Sequence, residues 1–254
     1  MKILVVADLH YALKQFDWVV EEAPHYDAVV IAGDLLDASA IATPQAQIVV
    51  IRAYLERLSA LTRVIVCSGN HDLDVTRDGE KVAAWLADLG ALEVCADGQS
   101  VVLGDTLFSA LPWWDGPHAK AAIAAQLARD AARRTGRWIW AHHAPPAGSP
   151  LSWGGSRHYG DADLVDWIAR YAPDIVCSGH VHHAPFVPGG AWVDRVGQTW
   201  CFNMGQQIGP VPAHIAVDPA LGAAAWFSSQ GGEQLSLGTT APEPARLVAV
   251  PDWL

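Results

Sequence analysis

The segment KILVVADLH (residues 2–10) is a short apolar run that ends on an aspartate and a histidine. Four later apolar runs also lead into residues that bind metal ions: AVVIAGD (28–34), VIVCSGNHD (64–72), WIWAHH (138–143) and IVCSGHVH (175–182). Apolar runs of this length, bounded by turn residues, predict buried strands. Ligands of open α/β sheets lie outside the carboxyl ends of the strands. If these strands are neighbours, one edge therefore gathers enough carboxylate, amide and imidazole groups for two divalent cations.

The composition predicts a folded protein with a large apolar core. Of the 254 residues, 51% are apolar and 17% are charged, which argues against disorder. We expect a single domain over residues 1–254, made of a motif core (1–185), a β-rich C-terminal part (190–238) and a surface tail (239–254). The four cysteines show no C-x-x-C spacing, so disulfides are not implied and a reducing cytoplasm fits.

The charge and hydropathy of the chain limit its partners. The formal net charge is −11, and an acidic chain repels nucleic-acid backbones and anionic lipid. No apolar run approaches the roughly 20 residues that span a bilayer, and the first run is too short for a signal peptide. We therefore expect a cytoplasmic protein with neither a membrane nor nucleic acid as a routine partner. The sequence leaves the oligomeric state open.

Strand-like and helix-like segments alternate over the first two-thirds of the chain. Helices are predicted at residues 15–22, 44–61, 80–89, 118–134 and 161–171, and such alternation is typical of βαβ units. Short strands with glycine or proline turns are predicted within 100–111 and at 192–196, 199–203, 213–217, 223–228 and 233–237. One sheet does not easily take all of these strands. We therefore predict an α/β fold with two packed mixed sheets flanked by helices, a four-layer α-β-β-α sandwich.

The metal-binding residues form five motifs whose order is more informative than any one of them. They are Asp8-x-His10, Gly33-Asp34, Gly69-Asn70-His71-Asp72, His142 and Gly179-His180-Val181-His182. Residues two apart on an extended chain share a face, so each D-x-H or H-x-H pair is expected to point one way. The glycines would let the backbone turn sharply beside the ions. This order resembles that of the calcineurin-like metallophosphoesterases, and the resemblance extends from Asp8 to His182.

The resemblance implies a role for each matching residue. The first metal ion would be bound by Asp8, His10 and His182, the second by Asn70, His142 and His180, and Asp34 would bridge the two ions. A bridging carboxylate also follows from electrostatics, because two cations about 3.5–4 Å apart need an anion between them. His71 would be the catalytic residue that faces the substrate and assists the leaving oxygen.

The adjacent histidines 142 and 143 leave a choice of ligand. The ligand of the family stands at a strand end, two to three residues before a proline, and His142 fits this position ahead of Pro145. We prefer His142 as the ligand, in which case His143 points to the other face or towards the substrate. Trp113 and Arg157 are further candidates for substrate contact, although core packing is the commoner role for a tryptophan in this chain.

The expected activity is hydrolysis of a phosphodiester or phosphomonoester by a metal-bridging hydroxide. The substrate is expected to be a small organic or nucleotide phosphate, which fits a compact acidic chain. Mixed nitrogen and oxygen ligands favour manganese, iron, zinc or cobalt for the two divalent ions. Two alternatives are a nuclease of the same family that acts on DNA ends, and a non-catalytic scaffold that binds proteins. The nuclease predicts a basic groove and the scaffold predicts loss of His71 or of ligands, and the sequence shows neither.

Overall fold

The computed structural model describes residues 1–89 and 92–254, and these form sixteen strands and five α-helices. The helices are α1 (Leu13–Glu22), α2 (Pro44–Ser59), α3 (Ala84–Ala87), α4 (Pro117–Arg133) and α5 (Ala162–Tyr171). The first ten strands are β1 (Ile3–Val6), β2 (Ala28–Ala32), β3 (Arg63–Cys67), β4 (Val75–Arg77), β5 (Glu80–Val82), β6 (Val94–Cys95), β7 (Ser100–Leu103), β8 (Thr106–Ala110), β9 (Arg137–Ala141) and β10 (Ile175–Ser178). The other six are β11 (Val193–Val196), β12 (Thr199–Asn203), β13 (His214–Asp218), β14 (Ala223–Ser228), β15 (Gly231–Ser236) and β16 (Ala245–Arg246).

Fourteen of these strands build two mixed sheets. The first sheet has the order β16-β15-β14-β13-β1-β2-β3-β6, with β1, β2, β3 and β6 parallel and the C-terminal strands antiparallel. The second has the order β11-β12-β10-β9-β8-β7, with parallel pairing from β12 to β8 and an antiparallel strand at each edge. The C-terminal strands thus extend both sheets, which places the β-rich part of the chain within the same two layers as the motif core.

Three apolar clusters define the layers. One lies between the sheets and contains alternate residues of both, such as Val5 of β1 and Ile139 of β9. A second joins the first sheet to α1, α2 and α3, and a third joins the second sheet to α4 and α5. Alternate residues of a strand face opposite sides, so the central strands of both sheets are buried on two faces, as their apolar sequences predict. The predicted four-layer α-β-β-α sandwich is confirmed.

The local sequence explains where the helices next to the site begin. Helix α2 starts after Thr43, whose side chain accepts a hydrogen bond from the Ala46 N–H, and Pro44 occupies its first turn. Helix α5 starts after Asp161, whose carboxylate accepts from the Asp163 N–H. The Asp161 carboxylate has two further partners, His142 and Trp114, which are described below.

The helix predicted at residues 80–89 is wrong over its first half. Residues 75–82 instead form the antiparallel hairpin of β4 and β5, and only the single turn of α3 is helical. The hairpin turns at Asp78-Gly79, where both residues have positive φ, as a two-residue hairpin turn of this kind requires. This Asp-Gly pair is the sequence signal that outweighed the helical pattern.

In the described part of the chain, no helix has both the length and the apolar character needed to cross a bilayer.

Candidate metal centre

The residues of the five motifs lie at the carboxyl ends of strands from both sheets. Asp8 and His10 follow β1, Asp34 follows β2, and Asn70 and His71 follow β3 in the first sheet. The adjacent histidines follow β9, and His180 and His182 follow β10, in the second sheet. The carboxyl ends of the strands, where the sequence predicts that the motif residues meet, are therefore contributed by two facing sheets.

The backbone at this edge leaves the extended conformation. Asp8, His10, Asp34 and His180 all have positive φ, between 43° and 67°. This left-handed region is uncommon for residues with side chains, although Asp and His enter it more readily than most. The extended-chain argument is therefore wrong for the His180-x-His182 pair, since β10 ends at Ser178, and for the Asp8-x-His10 pair, since β1 ends at Val6. The side chains of Asp8 and His10 converge because both residues adopt the left-handed conformation, and the surrounding hydrogen bonds hold this strained backbone.

Asp8, His10, Asp34 and His182 form a compact group of possible metal ligands. One ligand atom of each lies within 4.8 Å of those of the other three. Nε2 of His10 and Nε2 of His182 are 3.1 Å apart, and Nε2 of His182 is 3.3 Å from Oδ1 of Asp8. The backbone N–H of His180 donates to the Asp8 carboxylate, so this aspartate also ties the two sheets together.

A second group of donors adjoins the first and shares Asp34 with it. Nε2 of His143 lies 3.2 Å from Oδ2 of Asp34, and Nδ1 of His143 donates to the carbonyl oxygen of Ala32. Oδ1 of Asn70 lies 2.8 Å from Nδ1 of His180. The rings of His143 and His180 are in edge contact, with centroids 5.2 Å apart. Asn70, His143 and His180 are thus linked to one another by contacts, and His143 connects them to Asp34.

The structure places His143, rather than the preferred His142, in this cluster. Ile139 and Ala141 of β9 face the space between the sheets, whereas Trp138 and Trp140 face the outer helices. Continued alternation sends His143 inward and its neighbour outward. Nε2 of His142 pairs instead with Oδ2 of Asp161, 3.0 Å away. The spacing to Pro145 allowed either histidine, because it does not reveal which face of β9 looks inward.

The motif glycines make room for three of the candidate ligands. A Cβ on Gly33 would overlap the His143 ring, one on Gly69 would overlap Asp34, and one on Gly179 would overlap Asp8. Only Gly33 of these three has a positive φ, of +90°. The prediction of sharp turns therefore holds for Gly33, while the other two are needed for close approach of the backbone to an aspartate.

His71 lies at the edge of the cluster and lines a cavity of about 340 Å³ together with Asp34, Asn70, His180 and His182. Its backbone N–H donates to Oδ1 of Asp34, and its Nδ1 accepts from the Ala38 N–H. The neighbouring Asp72 makes no hydrogen bond to this ring among the described residues. Its buried carboxylate instead accepts the backbone N–H groups of Leu35, Leu36 and Gly69, which fixes the motif loops to one another.

The charges at the centre are mutually dependent. Burial alone would raise the pKa of Asp34, but the adjacent His143 lowers it below its usual value. Burial alone would lower the pKa of His143, but the Asp34 carboxylate raises it. Burial and the charge of His143 lower the pKa of His180 to about 4, so its ring is neutral at pH 7. Neutral imidazole and ionised carboxylate are the forms that bind metal ions, so His180 is ready to bind, whereas His143 would release a proton when a metal ion binds.

The residues present fit a divalent metal site. Nε2 of His143 is completely buried and makes no hydrogen bond to any described residue, although a carboxylate oxygen is near it. A buried polar atom without a partner is costly, and a bound cation would satisfy it. The donor set of carboxylates, imidazoles and an amide is the type that holds divalent transition metals.

Of the two further residues predicted to contact substrate, Trp113 touches the cluster and Arg157 contacts a neighbouring tyrosine. The Trp113 ring is in contact with the rings of His143 and His180, with centroids 5.7 and 5.1 Å away. The Arg157 guanidinium stacks on the exposed Tyr159 ring, 4.4 Å from its centroid. Tyr159 itself lines the cavity of His71, and no sequence pattern pointed to it. Tyr159 follows no strand end, so the rule that located the other residues gave no signal for it.

The chain belongs to the calcineurin-like phosphoesterase family, since the family model of that description matches residues 1–184. Among solved structures, TT1561 of Thermus thermophilus is similar with a TM-score of 0.56 and 14% identity, over 93% of this chain and 98% of that one. Purple acid phosphatase PPD1 from yellow lupin (Lupinus luteus) seeds is similar with a TM-score of 0.55 and 15% identity, over 94% of this chain and 52% of that one. At these identities the likeness shows the fold alone. No curated protein is significantly similar in sequence to this chain.

Proposed function

We propose that this chain hydrolyses phosphate esters with two divalent metal ions. The first ion would be held by Asp8, His10 and His182, the second by Asn70, His143 and His180, and Asp34 would bridge them. The family membership supports a phosphoesterase in general. The observation that carries the proposal is the convergence of these donors from five strand ends, with the buried Nε2 of His143 left without a hydrogen bond among the described residues.

Divalent ions bound at this edge would supply Lewis-acid chemistry, which makes water a nucleophile at neutral pH and stabilises charge on the phosphoryl oxygens. The chain's own contribution is to position the groups around them. The Asp72 carboxylate holds the loops that carry Asp34 and Asn70, and the His180 N–H holds Asp8 against the second sheet. Such fixed geometry lowers the cost of reorganisation during the reaction.

His71 is the proposed catalytic residue. Its Nδ1 accepts the Ala38 N–H, so a neutral His71 ring carries its proton on Nε2. The ring lines the same cavity as the donors of both groups. From there Nε2–H would donate a hydrogen bond to the oxygen of the departing alcohol and stabilise the negative charge that develops on it, without giving up the proton.

The preferred ions and substrates follow from the donors and from the charge of the chain. Mixed nitrogen and oxygen donors suit manganese, iron, zinc or cobalt better than calcium. A net charge of −11 disfavours long nucleic acids and favours a small phosphate ester as the substrate. The four cysteines are unpaired and buried, which supports a reducing compartment such as the cytoplasm. We keep Arg157 as a proposed substrate contact, held over Tyr159 at the cavity.

The proposal is tested by turnover of bis(4-nitrophenyl) phosphate and 4-nitrophenyl phosphate after metal removal and reloading. We expect little activity in the chelated protein and recovery with manganese or another of the named ions. The variant Asp34→Asn should not recover, because it loses the charge that lies between the two donor groups. Absence of turnover with every divalent ion, in protein shown to be folded, would favour a non-catalytic scaffold instead.

A further inference from the structure

A second cavity, of about 390 Å³, adjoins the metal centre on the side of the second sheet. Three aromatic side chains line it, Trp113, Trp114 and Tyr159. The two tryptophans follow β8, so they reach the same edge as the metal-binding motifs. Pockets that bind small organic groups typically have a volume of about 300–1,000 Å³ and mostly apolar walls. The size and the lining of this cavity are therefore those of a recognition pocket.

The aromatic cavity is adjacent to the cavity of the metal centre. His180 and Tyr159 line both of them. A substrate whose phosphate lies beside His180 therefore has its organic part within reach of the aromatic walls.

The walls of this cavity are held in fixed positions. The Trp113 N–H donates to Oγ of Ser68, directly before the Gly69-Asn70 motif, and the Trp113 ring contacts His180. Nε1 of Trp114 donates to Oδ2 of Asp161 over 2.8 Å. Because these side chains are already ordered, they lose little conformational entropy when a flat ring binds against them. Stacking of such a ring on the aromatic walls is therefore favoured.

The polar groups of the cavity disfavour a charged occupant. The Asp161 carboxylate already accepts from Trp114 and from the Asp163 N–H and pairs with His142, so its hydrogen-bonding capacity is largely used. Asp163 also lines the cavity and is paired with Lys120. Two carboxylates would repel an anion, and their existing partners leave little attraction for a cation. The walls are best matched by an uncharged aromatic ring.

The position of the cavity indicates which part of the substrate it takes. The His71 ring contacts His10, with centroids 4.6 Å apart, whereas Trp113 contacts His143 and His180. If the Nε2–H of His71 donates to the leaving oxygen, the ring beside Trp113 belongs to the ester group that stays on phosphorus. We propose that this cavity binds a flat uncharged ring, an aryl group or a nucleobase, on the retained side of a phosphodiester, and this inference rests on the proposed function.

Two diesters with one leaving group test the inference. Phenyl 4-nitrophenyl phosphate and methyl 4-nitrophenyl phosphate both release 4-nitrophenolate and differ only in the retained group. We expect kcat/KM to favour the phenyl ester by roughly tenfold or more, the size of one aromatic stacking contact. Equal values would overturn the inference. A preference for choline 4-nitrophenyl phosphate over the phenyl ester would also overturn it, in favour of a cation site.

Substitutions connect this preference to the cavity. Trp113→Leu and Tyr159→Leu should each reduce the phenyl-to-methyl ratio several-fold, and Trp113→Phe should retain more of it because a ring remains. Trp18→Leu is the matched control, since Trp18 packs on the outer face of the first sheet, away from the cavity. A ratio that stays at the wild-type value in both cavity variants would contradict the assignment.

A binding measurement keeps the inference separate from turnover. Calorimetric titration with phenylphosphonate and with methylphosphonate, in the presence and absence of manganese, reports affinity without chemistry. We expect tighter binding of phenylphosphonate, by roughly tenfold, and a loss of that difference in Trp113→Leu. If neither diester is hydrolysed with any metal, the proposed function fails, while the phosphonate comparison still decides for or against the cavity.

Discussion

Nε2 of His143 and Oδ2 of Asp34 lie 3.2 Å apart and bring together the ends of β9 in one sheet and β2 in the other. We expect His143→Ala to weaken metal binding by more than the roughly 10- to 100-fold loss that is typical when a residue only orients a ligand. The reason is that this variant removes a donor atom from the second group. Elemental analysis after dialysis against manganese measures the loss.

The neighbouring residue provides a matched control. His142→Ala should keep its metal ions and lose stability instead, by about 1–3 kcal/mol, because Asp161 is left without one of its partners. Denaturant unfolding measures this change. Normal metal content in His143→Ala together with metal loss in His142→Ala would reverse the assignment of the two histidines.

His71→Ala should keep its metal content and lose turnover. Removal of one hydrogen-bond donor to a developing oxyanion typically costs about 10²- to 10³-fold in kcat, so kcat should fall by an amount in that range. The loss should be smaller for an ester with a very acidic leaving group, since the anion of such an alcohol needs less stabilisation as it departs. A fall in metal content in this variant would move His71 among the ligands and contradict its catalytic role.

Gly69→Ala should damage the metal centre through close contact alone. The added Cβ would lie 2.6 Å from the backbone nitrogen of Asp34, a separation that forces this residue to move. We expect a loss of about 1–3 kcal/mol in unfolding free energy, as for other overpacked sites, together with weaker metal binding. Gly238→Ala is the control, because its Cβ would meet only Oγ of Ser236 at an ordinary 3.6 Å. Equal behaviour of the two variants would contradict this account of the motif glycine.

His214 should make stability fall in acid. The ring lies between Trp18 and Phe227, and burial lowers its pKa to about 4, against a small opposing effect of the Pro212 carbonyl. The unfolded chain therefore binds this proton more readily, and stability is lost as pH falls from about 6.5 through about 4. We compare the free energy of unfolding of His214→Phe with that of the wild type. As the pH falls from 7.5 to 4.5, this difference should shift in favour of the variant by up to about 3 kcal/mol. A difference that is the same at both pH values would exclude this titration as its cause.

The strand ends could be predicted from the sequence because they depend on the burial pattern of residues that are adjacent in the chain. Apolar runs such as residues 28–32 bury both faces, and the first polar residue after them must lie where the strand leaves the sheet. The same rule located Asp34 and His180 without knowledge of which sheet holds each strand. The division of the motifs between two sheets was not predicted in detail, since strand order depends on contacts between distant segments.

Other features depend on tertiary structure that no local pattern contains. The inward orientation of His143 follows from the face that β9 presents to the first sheet, and a one-residue shift would exchange the two histidines. The aromatic cavity combines Trp113 with Tyr159, which lies far along the chain in a loop that belongs to no strand. The hairpin at Asp78-Gly79, by contrast, had a local signal that the helical pattern obscured.

The most direct test of the metal centre is anomalous scattering from crystals of the manganese-loaded protein, combined with elemental analysis. The account predicts two ions per chain, one beside Asp8, His10 and His182 and one beside Asn70, His143 and His180, with Asp34 in contact with both. No anomalous peak at this edge after loading, or a single peak beside His142, would contradict it.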